Sequence, residues 1–189
     1  MATTRQAVGM IEMTSIGIGH LVQDAMLKAA EVRLLMARSI CSGKYIVIVG
    51  GDAGPVQAAV AAGLEAAPDG VIDQIELPNI HPDVFRALGD MVQLTVKPEQ
   101  LPAMGIVETF SAASAIEAAD AAAKAANVTL FRIHVAMAIG GKGLVMMSGS
   151  VSDCRAGVEA GAEVVRQKGL LVSKVVIPRP SRELFAERI

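Results

Sequence analysis

The residue best suited to chemistry in this chain is a cysteine in a short polar segment. Cys41 lies within residues 38–44, which read Arg-Ser-Ile-Cys-Ser-Gly-Lys and predict a turn between two strands. A thiolate can bind a metal or act as a nucleophile, whereas most cysteines outside disulfides are small buried hydrophobes. The small polar neighbours favour an exposed thiol at Cys41. Cys154, at the start of a predicted helix, fits the buried alternative.

Other catalytic patterns are absent from the sequence. Lys44 and Lys142 each follow a glycine, but neither has the other residues of a phosphate-binding P-loop. The three histidines are far apart and form no zinc-binding pattern. No Ser-His-Asp or Cys-His motif is recognisable, although such triads can assemble from distant positions. The residues alone therefore indicate no particular catalytic reaction.

The composition excludes several kinds of partner. Only 3% of residues are aromatic and the net charge is −2, so the chain lacks the stacking platforms and the basic surface of a nucleic-acid-binding protein. No apolar stretch is long enough to cross a membrane. Two cysteines do not suggest a disulfide framework, and we expect a reducing cytoplasm. The sequence thus predicts no nucleic-acid partner and no membrane partner.

The chain contains the same pattern twice. The segment Ala7–Glu12 returns as Ala103–Glu108, 96 positions later, and Gly43-Lys44 returns as Gly141-Lys142, 98 positions later. A steady offset that grows by small insertions indicates a duplicated domain, and half of 189 residues is close to the usual size of one domain. The predicted organisation is a first domain at 1–88, a linker at 89–102 and a second domain at 103–189.

Hydrophobic periodicity predicts the order β-α-β-β-α-β in each copy. In the first copy, a helix follows Thr14-Ser15 and another spans Pro55–Ala67; strands are expected at Ala7–Met13, Val32–Met36, Tyr45–Val49 and Val71–Leu77. The second copy repeats this order from Ala103 to Ile177. The order matches the α+β ferredoxin-like plan, an antiparallel sheet with both helices on one face. Since this plan hosts many functions, an enzyme or a small-molecule sensor stays open as an alternative at this point.

Four features together resemble bacterial microcompartment shell domains. They are a Gly-x-Ile/Val-Glu opening in each copy, Asp-x-x-x-Lys-Ala-Ala at Asp24–Ala30 and Asp120–Ala126, the Gly-Lys pairs, and the closing Ile177–Pro180. Two copies in tandem are similar to the trimer-forming shell proteins, including those of propanediol-utilisation compartments. The resemblance implies a structural protein of a microcompartment shell within the cytoplasm, and from it we predict that the chain is not an enzyme. It also implies a homotrimer that mimics a hexamer and tiles edge to edge with other shell proteins.

The resemblance assigns the turns and the edges of such a tile. The turns before the two Gly-Lys pairs would line a central pore, formed by Ser39, Ile40, Cys41, Ser42, Gly43, Ile139, Gly140 and Gly141. Lys28 and Lys124 would lie at the rim of the tile, and Arg179 would reach across the seam between tiles. The first copy has Asn79 where the second has Arg179, so three of the six rim positions would bind differently.

The resemblance also implies a cofactor. Three symmetry-related cysteines at the pore hold an iron–sulfur cluster in a related tandem shell protein, and Cys41 matches that position. Three chains would each supply one thiolate to a 4Fe-4S cluster, whose fourth ligand would be water, a solute or a group other than cysteine. Arg38, Lys44 and Lys142 would offset the negative charge of the cluster. The implied role is electron transfer across the shell, with encapsulated redox enzymes as partners. The alternative is an open pore that conducts metabolites and holds no cluster.

Overall fold

The structure, a computed structural model, describes residues 6–89, 103–135, 139–181 and 184. The predicted linker lies outside these residues except for its first position. The chain separates into two compact units, one with strands β1 to β4 and the other with strands β5 to β8. The predicted domain limits of 1–88 and 103–189 stay predictions.

The first unit contains a four-stranded antiparallel sheet with the strand order β2-β3-β1-β4. Helices α1 and α2 pack against each other and against the sheet, which places them on one face. The elements are β1 (Gln6–Met13), α1 (Ile16–Ala29), β2 (Arg33–Ile40), β3 (Lys44–Asp52), α2 (Ala53–Ala66) and β4 (Val71–Leu77).

The second unit repeats this arrangement with the strand order β6-β7-β5-β8. A short helix, α3 (Pro82–Gly89), precedes it in the sequence. The other elements are β5 (Ala103–Thr109), α4 (Ala112–Ala125), β6 (Thr129–His134), β7 (Gly143–Gly149), α5 (Val151–Gln167) and β8 (Leu171–Pro178). The predicted α+β plan of two ferredoxin-like copies is therefore confirmed.

The central strands β1 and β5 form the base of each core because they pair on both edges. The repeated motif at the start of each copy requires glycine because a helix approaches the strand closely there. A Cβ added to Gly9 would lie 2.5 Å from a methyl group of Val60, and one added to Gly105 would lie 2.7 Å from a methyl group of Val158. This close packing explains why the motif recurs in both copies.

Two local predictions differ from the structure. Strand β2 continues to Ile40, beyond the predicted end at Met36, because it pairs with β3 as far as the Ile40–Lys44 pair. Helix α3 was not predicted, since its eight residues begin with a proline and resemble a loop in the sequence. Proline is nevertheless well suited to the first position of a helix, where no hydrogen bond from its nitrogen is needed.

Candidate functional site

The turn between β2 and β3 presents Cys41 at the end of the first sheet. Cys41, Ser42 and Gly43 form a single 3₁₀ turn, and the Cys41 side chain is half-buried. Ser42 has φ 65° and ψ 26°, and Gly43 has φ 73°, so two consecutive residues are left-handed. Ser39, Ser42 and Gly43 are exposed, whereas Ile40 is buried. In this chain the accessible part of the predicted pore segment is therefore mainly small and polar.

The matching turn between β6 and β7 has the same left-handed backbone with different residues. Gly140 has φ 63° and Gly141 has φ 82°. Ile139 is half-buried and Gly140 is exposed, and residues 136–138 of this segment lie outside the described part of the chain. The second turn is thus built from glycines where the first uses Ser42 and Gly43. It also carries Ile139 in place of Cys41.

Each turn is followed by a lysine that is ion-paired to the central strand of its sheet. Lys44 Nζ donates to Glu12 Oε1 at 2.9 Å, and Lys142 Nζ donates to Glu108 Oε1 at 2.8 Å. The Glu12 side chain is only 4% exposed, compared with 29% for Glu108. Lys44 and Lys142 were expected to offset the charge of a cluster, but in the structure each already has a carboxylate partner.

The two glutamates differ in the residue that faces them from the neighbouring edge strand. Ser173 Oγ donates to Glu108 Oε2 at 3.0 Å, whereas the residue across from Glu12 on β4 is Asp73. The hydrogen bond from Lys142 holds the pKa of Glu108 below its usual value, against the effect of burial and with further help from Ser173. The carboxylate in the second copy therefore has two donors to stabilise its charge.

The repeat indicated a structural role for these two glutamates, in equivalent places of the two domains, but their lysine partners were not predicted. The sequence nevertheless held a usable signal. A glutamate in the opening motif and a lysine in the Gly-Lys pair occur together in both copies. A carboxylate on a central strand needs a cationic partner when it is buried, and the lysine repeated with it was the natural candidate.

The remaining titratable groups near the first turn form a small polar cluster. The Tyr45 hydroxyl donates to Gln23 Oε1 at 3.0 Å and lies 3.5 Å from His20 Nδ1. The rings of His20 and Tyr45 have centroids 4.7 Å apart. Within the described ranges, no group of three His, Cys, Asp or Glu side chains could hold a metal ion. The described part of one chain therefore does not by itself supply the ligands of a cluster.

The two cysteines have different surroundings: Cys154 is buried, as the sequence predicted, whereas Cys41 is less exposed than its polar neighbours suggested. Neither forms a disulfide, and Cys41 is half-buried while Cys154 is fully buried. Burial raises the pKa of the Cys154 thiol, with Asp153 acting in the same direction. Cys154 is therefore a packing residue, and Cys41 is the thiol that solvent and reagents can reach.

The predicted edge lysines both form ion pairs along their own helices. Lys28 Nζ lies 2.6 Å from Asp24 Oδ2, and Lys124 Nζ lies 2.6 Å from Asp120 Oδ2. The Asp24 carboxylate is well exposed, whereas that of Asp120 is mostly buried. The same pair therefore has a wetter environment in the first copy than in the second.

The other pair of predicted edge residues, Asn79 and Arg179, has the same backbone conformation in both copies. Asn79 has φ 54° and Arg179 has φ 48°, and both side chains are exposed. A left-handed conformation is rare for residues other than glycine and asparagine. Asn79 therefore occupies the structural place of Arg179, but with a shorter and uncharged side chain.

Comparisons with known proteins agree with this architecture. The BMC domain family profile matches residues 7–80 and 103–180. The bacterial microcompartment shell protein PduT of Citrobacter freundii is 45% identical over 184 residues, which cover 97% of this chain and 98% of that protein. The shell protein EutM of Salmonella typhimurium is 42% identical over 84 residues, which cover 44% of this chain and 85% of that protein.

A solved structure has the same tandem arrangement. The crystal structure of a microcompartments protein from Desulfitobacterium hafniense DCB superposes with a TM-score of 0.91 at 44% identity, covering 96% of this chain and 99% of that one. None of the helices in the described part of this chain is long and apolar enough to pass through a membrane.

Proposed function

The chain belongs to the BMC domain family, and from this we propose that three copies close into a ring of six domains that forms one tile of a bacterial microcompartment shell. Its role is structural rather than enzymatic, as expected for a relative of microcompartment shell proteins. The ring places two different domains alternately around one axis, which gives a three-chain assembly the outline of a hexamer.

One observation carries the proposal of a ring. Four positions on one side of α1 are exposed or half-buried, and the four equivalent positions of α4 are fully buried. Ile16 is 42% exposed and Leu27 is 38% exposed, although both are large apolar side chains. The positions in α1 are Ile16, His20, Gln23 and Leu27, and those in α4 are Ala112, Ile116, Ala119 and Ala123.

A second copy of the chain is the natural cover for the uncovered side of α1. In a closed ring built from repeated domains, each domain has equivalent neighbours, so a face buried in one copy should be buried in the other. Burying Ile16 and Leu27 would also remove apolar surface from water. The exposed α1 face therefore supports association with another chain.

The ring is tested by placing a charge on this face. Leu27→Lys should reduce the assembly from a trimer to smaller species, as measured by light scattering after size exclusion. Leu21→Lys is the matched control, because Leu21 is 54% exposed on another side of α1 and its counterpart is already the charged Glu117. A Leu27→Lys protein that stays trimeric would contradict the proposal, as would a monomeric wild type.

The two turns would surround the axis of this ring. The pore would then be lined by three copies of Ser39 to Gly43 and three copies of Ile139 to Gly141. Such a constriction admits or refuses solutes according to its width and the groups that line it. The small polar side chains of the first turn and the glycines of both turns support a passage for small polar molecules.

The finer proposal is a 4Fe-4S cluster held by Cys41 from each of three chains. The half-buried position of Cys41 on a turn fits a shared site, because the described residues of one chain hold no ligand set of their own. When bound, a cluster would supply one-electron transfer across the shell, toward redox enzymes enclosed in the compartment. The residues of this chain would supply the three thiolates and the polar turn around them.

Metal analysis of anaerobically purified protein tests the cluster. The expected result is four iron and four sulfide per trimer, with broad absorption near roughly 400 nm. Cys41→Ser should abolish both, and Cys154→Ser is the matched control because that thiol is buried. A colourless protein after reconstitution with iron and sulfide would reject the cluster and leave the open pore as the function of this turn.

The rim assignment of Lys28, Lys124, Arg179 and Asn79 is tested by sheet formation. Combining Lys28→Ala with Lys124→Ala should leave the trimer intact and impair the growth of flat sheets, observed by electron microscopy. Asn79→Arg should have the opposite effect, because it makes the two kinds of edge alike. Normal sheets from the double lysine variant would count against this assignment.

A further inference from the structure

The first copy holds a nearly buried carboxylate just below the Cys41 turn. Glu12 lies on β1, which is hydrogen-bonded to β3 on one side and to β4 on the other, so its backbone is held in place from both edges. Its carboxylate receives the ammonium group of Lys44 at 2.9 Å. Lys44 is the first residue of β3 and directly follows the turn. The ion pair therefore ties the end of the turn to a central strand of the sheet.

The turn itself is in a conformation that its sequence disfavours. Ser42 is left-handed at φ 65°, a region that costs L-residues energy and that glycine adopts freely. The second copy has Gly140 at this position and Gly141 at the next, so its turn has the same backbone without that cost. A conformation of this kind persists only where the surrounding structure holds it.

We propose that Glu12 and Lys44 are positioning residues that hold the strained turn and thereby fix the place of the Cys41 thiol. The corresponding pair in the second copy, Glu108 and Lys142, ties down a turn that needs no such restraint. This inference deepens the proposed function, since it concerns the same turn that would line the pore and bind a cluster. Its test uses iron-free protein, so the outcome does not depend on whether a cluster binds.

The rate of alkylation of Cys41 reports how firmly the turn is held. Iron-free trimer, prepared with a chelator, is treated with iodoacetamide, and the modified cysteine is located by peptide mass spectrometry. Cys154 is buried and serves as the internal reference for global opening. Lys44→Met should accelerate the modification of Cys41 roughly tenfold, the lower end of what a hydrogen bond to a charged group contributes.

The second copy supplies the matched control. Lys142→Met removes the equivalent ammonium group, but from a turn that lies on the other sheet and carries no cysteine. It should change the rate at Cys41 less than about twofold, the scatter usual for substitutions with no shared partner, because it leaves the ion pair between Glu12 and Lys44 in place. Equal acceleration by both variants would mean general loosening and would overturn the proposal, as would an unchanged rate in Lys44→Met.

Two rescue variants separate positioning from a merely structural contribution. Lys44→Arg keeps the charge and should stay close to the wild-type rate. Adding Ser42→Asn to Lys44→Met should recover much of the slow rate, because asparagine tolerates the left-handed region better than serine does. A double variant as fast as Lys44→Met alone would overturn the role of the strain at Ser42.

A milder substitution keeps the test available if Lys44→Met does not fold. Glu12→Gln leaves an amide oxygen for Lys44 and removes the negative charge, so an intermediate acceleration of Cys41 alkylation is expected. Light scattering on each variant shows whether the trimer is intact, which separates a failure of this inference from a failure of the proposed ring. An unchanged rate in an intact Glu12→Gln trimer would overturn the proposal.

Discussion

The contact between the first helix and the third strand is built in opposite ways in the two copies. In the first copy the helix contributes Gly19 and the strand contributes Tyr45; at the equivalent positions of the second copy the helix has Ala115 and the strand has Gly143. A Cβ added to Gly19 would lie 2.4 Å from Tyr45 Cβ, and one added to Gly143 would lie 2.5 Å from Ala115 Cβ. Each copy therefore has room for only one of the two side chains.

This difference shows that the duplicated backbone was kept while the residue that fills the space changed. Because Tyr45 occupies the space in the first copy, its hydroxyl reaches Gln23 and lies near His20 on α1. The second copy has Ile116 and Ala119 at those helix positions, and both are buried. The first copy thus presents polar groups on a helix face whose counterpart is entirely apolar, close to the turn that carries Cys41.

The largest expected effect comes from adding a second side chain to the space that Ala115 already fills in the second copy. Gly143→Ala should lower the free energy of unfolding by about 3 kcal/mol, the upper end for overpacked cores. The added Cβ would meet the backbone oxygen of Ser111 at 2.7 Å as well as the Ala115 Cβ, and backbone cannot move aside cheaply. Denaturation in urea, followed by circular dichroism, measures the change. A loss below about 1 kcal/mol would mean that the two copies do not differ in this way.

A double-mutant cycle in the first copy sharpens the same comparison. Gly19→Ala should destabilise the wild type by about 2 kcal/mol, because only the Tyr45 side chain opposes it. In a Tyr45→Gly background the same change reproduces the residues of the second copy, and it should become favourable by up to about 1 kcal/mol, the helix preference of alanine over glycine. If Gly19→Ala changed the free energy of unfolding in the same direction in both backgrounds, residues 19 and 45 would not compete for one space.

Removal of the lysine from each of the two ion pairs should also lower the free energy of unfolding by different amounts. Lys44→Met leaves Glu12 buried without its cation and should cost about 2 kcal/mol at neutral pH. Lys142→Met should cost about 1 kcal/mol, because Glu108 keeps its hydrogen bond from Ser173 and is more exposed to water. Equilibrium unfolding of the two variants, measured side by side, tests the difference. Equal losses would show that burial does not separate the two copies.

The sequence predicted the fold well because duplication doubled every local signal. Each strand or helix of the second copy supports the assignment of its counterpart in the first. The failures occur where this check is missing. Helix α3 has no predicted counterpart in the second copy, and the end of β2 depends on pairing with β3, which local periodicity does not report.

The site was less predictable, because its key contacts join residues that are distant in the sequence. Cys41 could be recognised from its polar neighbours, but its restraint by Glu12 depends on the register that aligns β1 with β3. The strain at Ser42 is likewise a property of the backbone, visible only beside the glycines of the second turn. A lysine after a glycine indicated charge at the turn, and only its recurrence with a glutamate in both copies pointed to a neutralising carboxylate.

A pH series extends the comparison of the ion pairs. The pKa of Glu108 is held below its unfolded value of about 4.3, so its contribution to stability is complete above that pH and is lost as the pH falls through the folded pKa. The gap of about 1 kcal/mol between the wild type and Lys142→Met should therefore be constant from pH 7 to 5 and shrink below about pH 4. A gap that does not change with acid would remove the ion pair as its cause.

The smallest expected effect concerns the residue directly before the first helix of each copy, which is serine in both. Ser111 Oγ accepts a hydrogen bond from the backbone nitrogen of Ser114 at 3.1 Å, so it caps α4. Ser15, its counterpart, makes no such bond to α1. Ser111→Ala should cost about 0.5–1 kcal/mol, and Ser15→Ala should cost almost nothing, as measured by urea denaturation.

The comparison of Ser15 with Ser111 separates the effect of the environment from that of the residue type. Both residues are serines at equivalent positions, and they differ in whether the side chain caps the helix. If both substitutions cost the same, the caps would be equivalent in solution, and the copies would differ in packing but not in helix initiation. If only Ser111→Ala is costly, the second copy begins its helix with a fixed cap and a buried face. The first copy would then begin with an uncapped helix and an exposed face, the combination expected of the domain that another chain must complete.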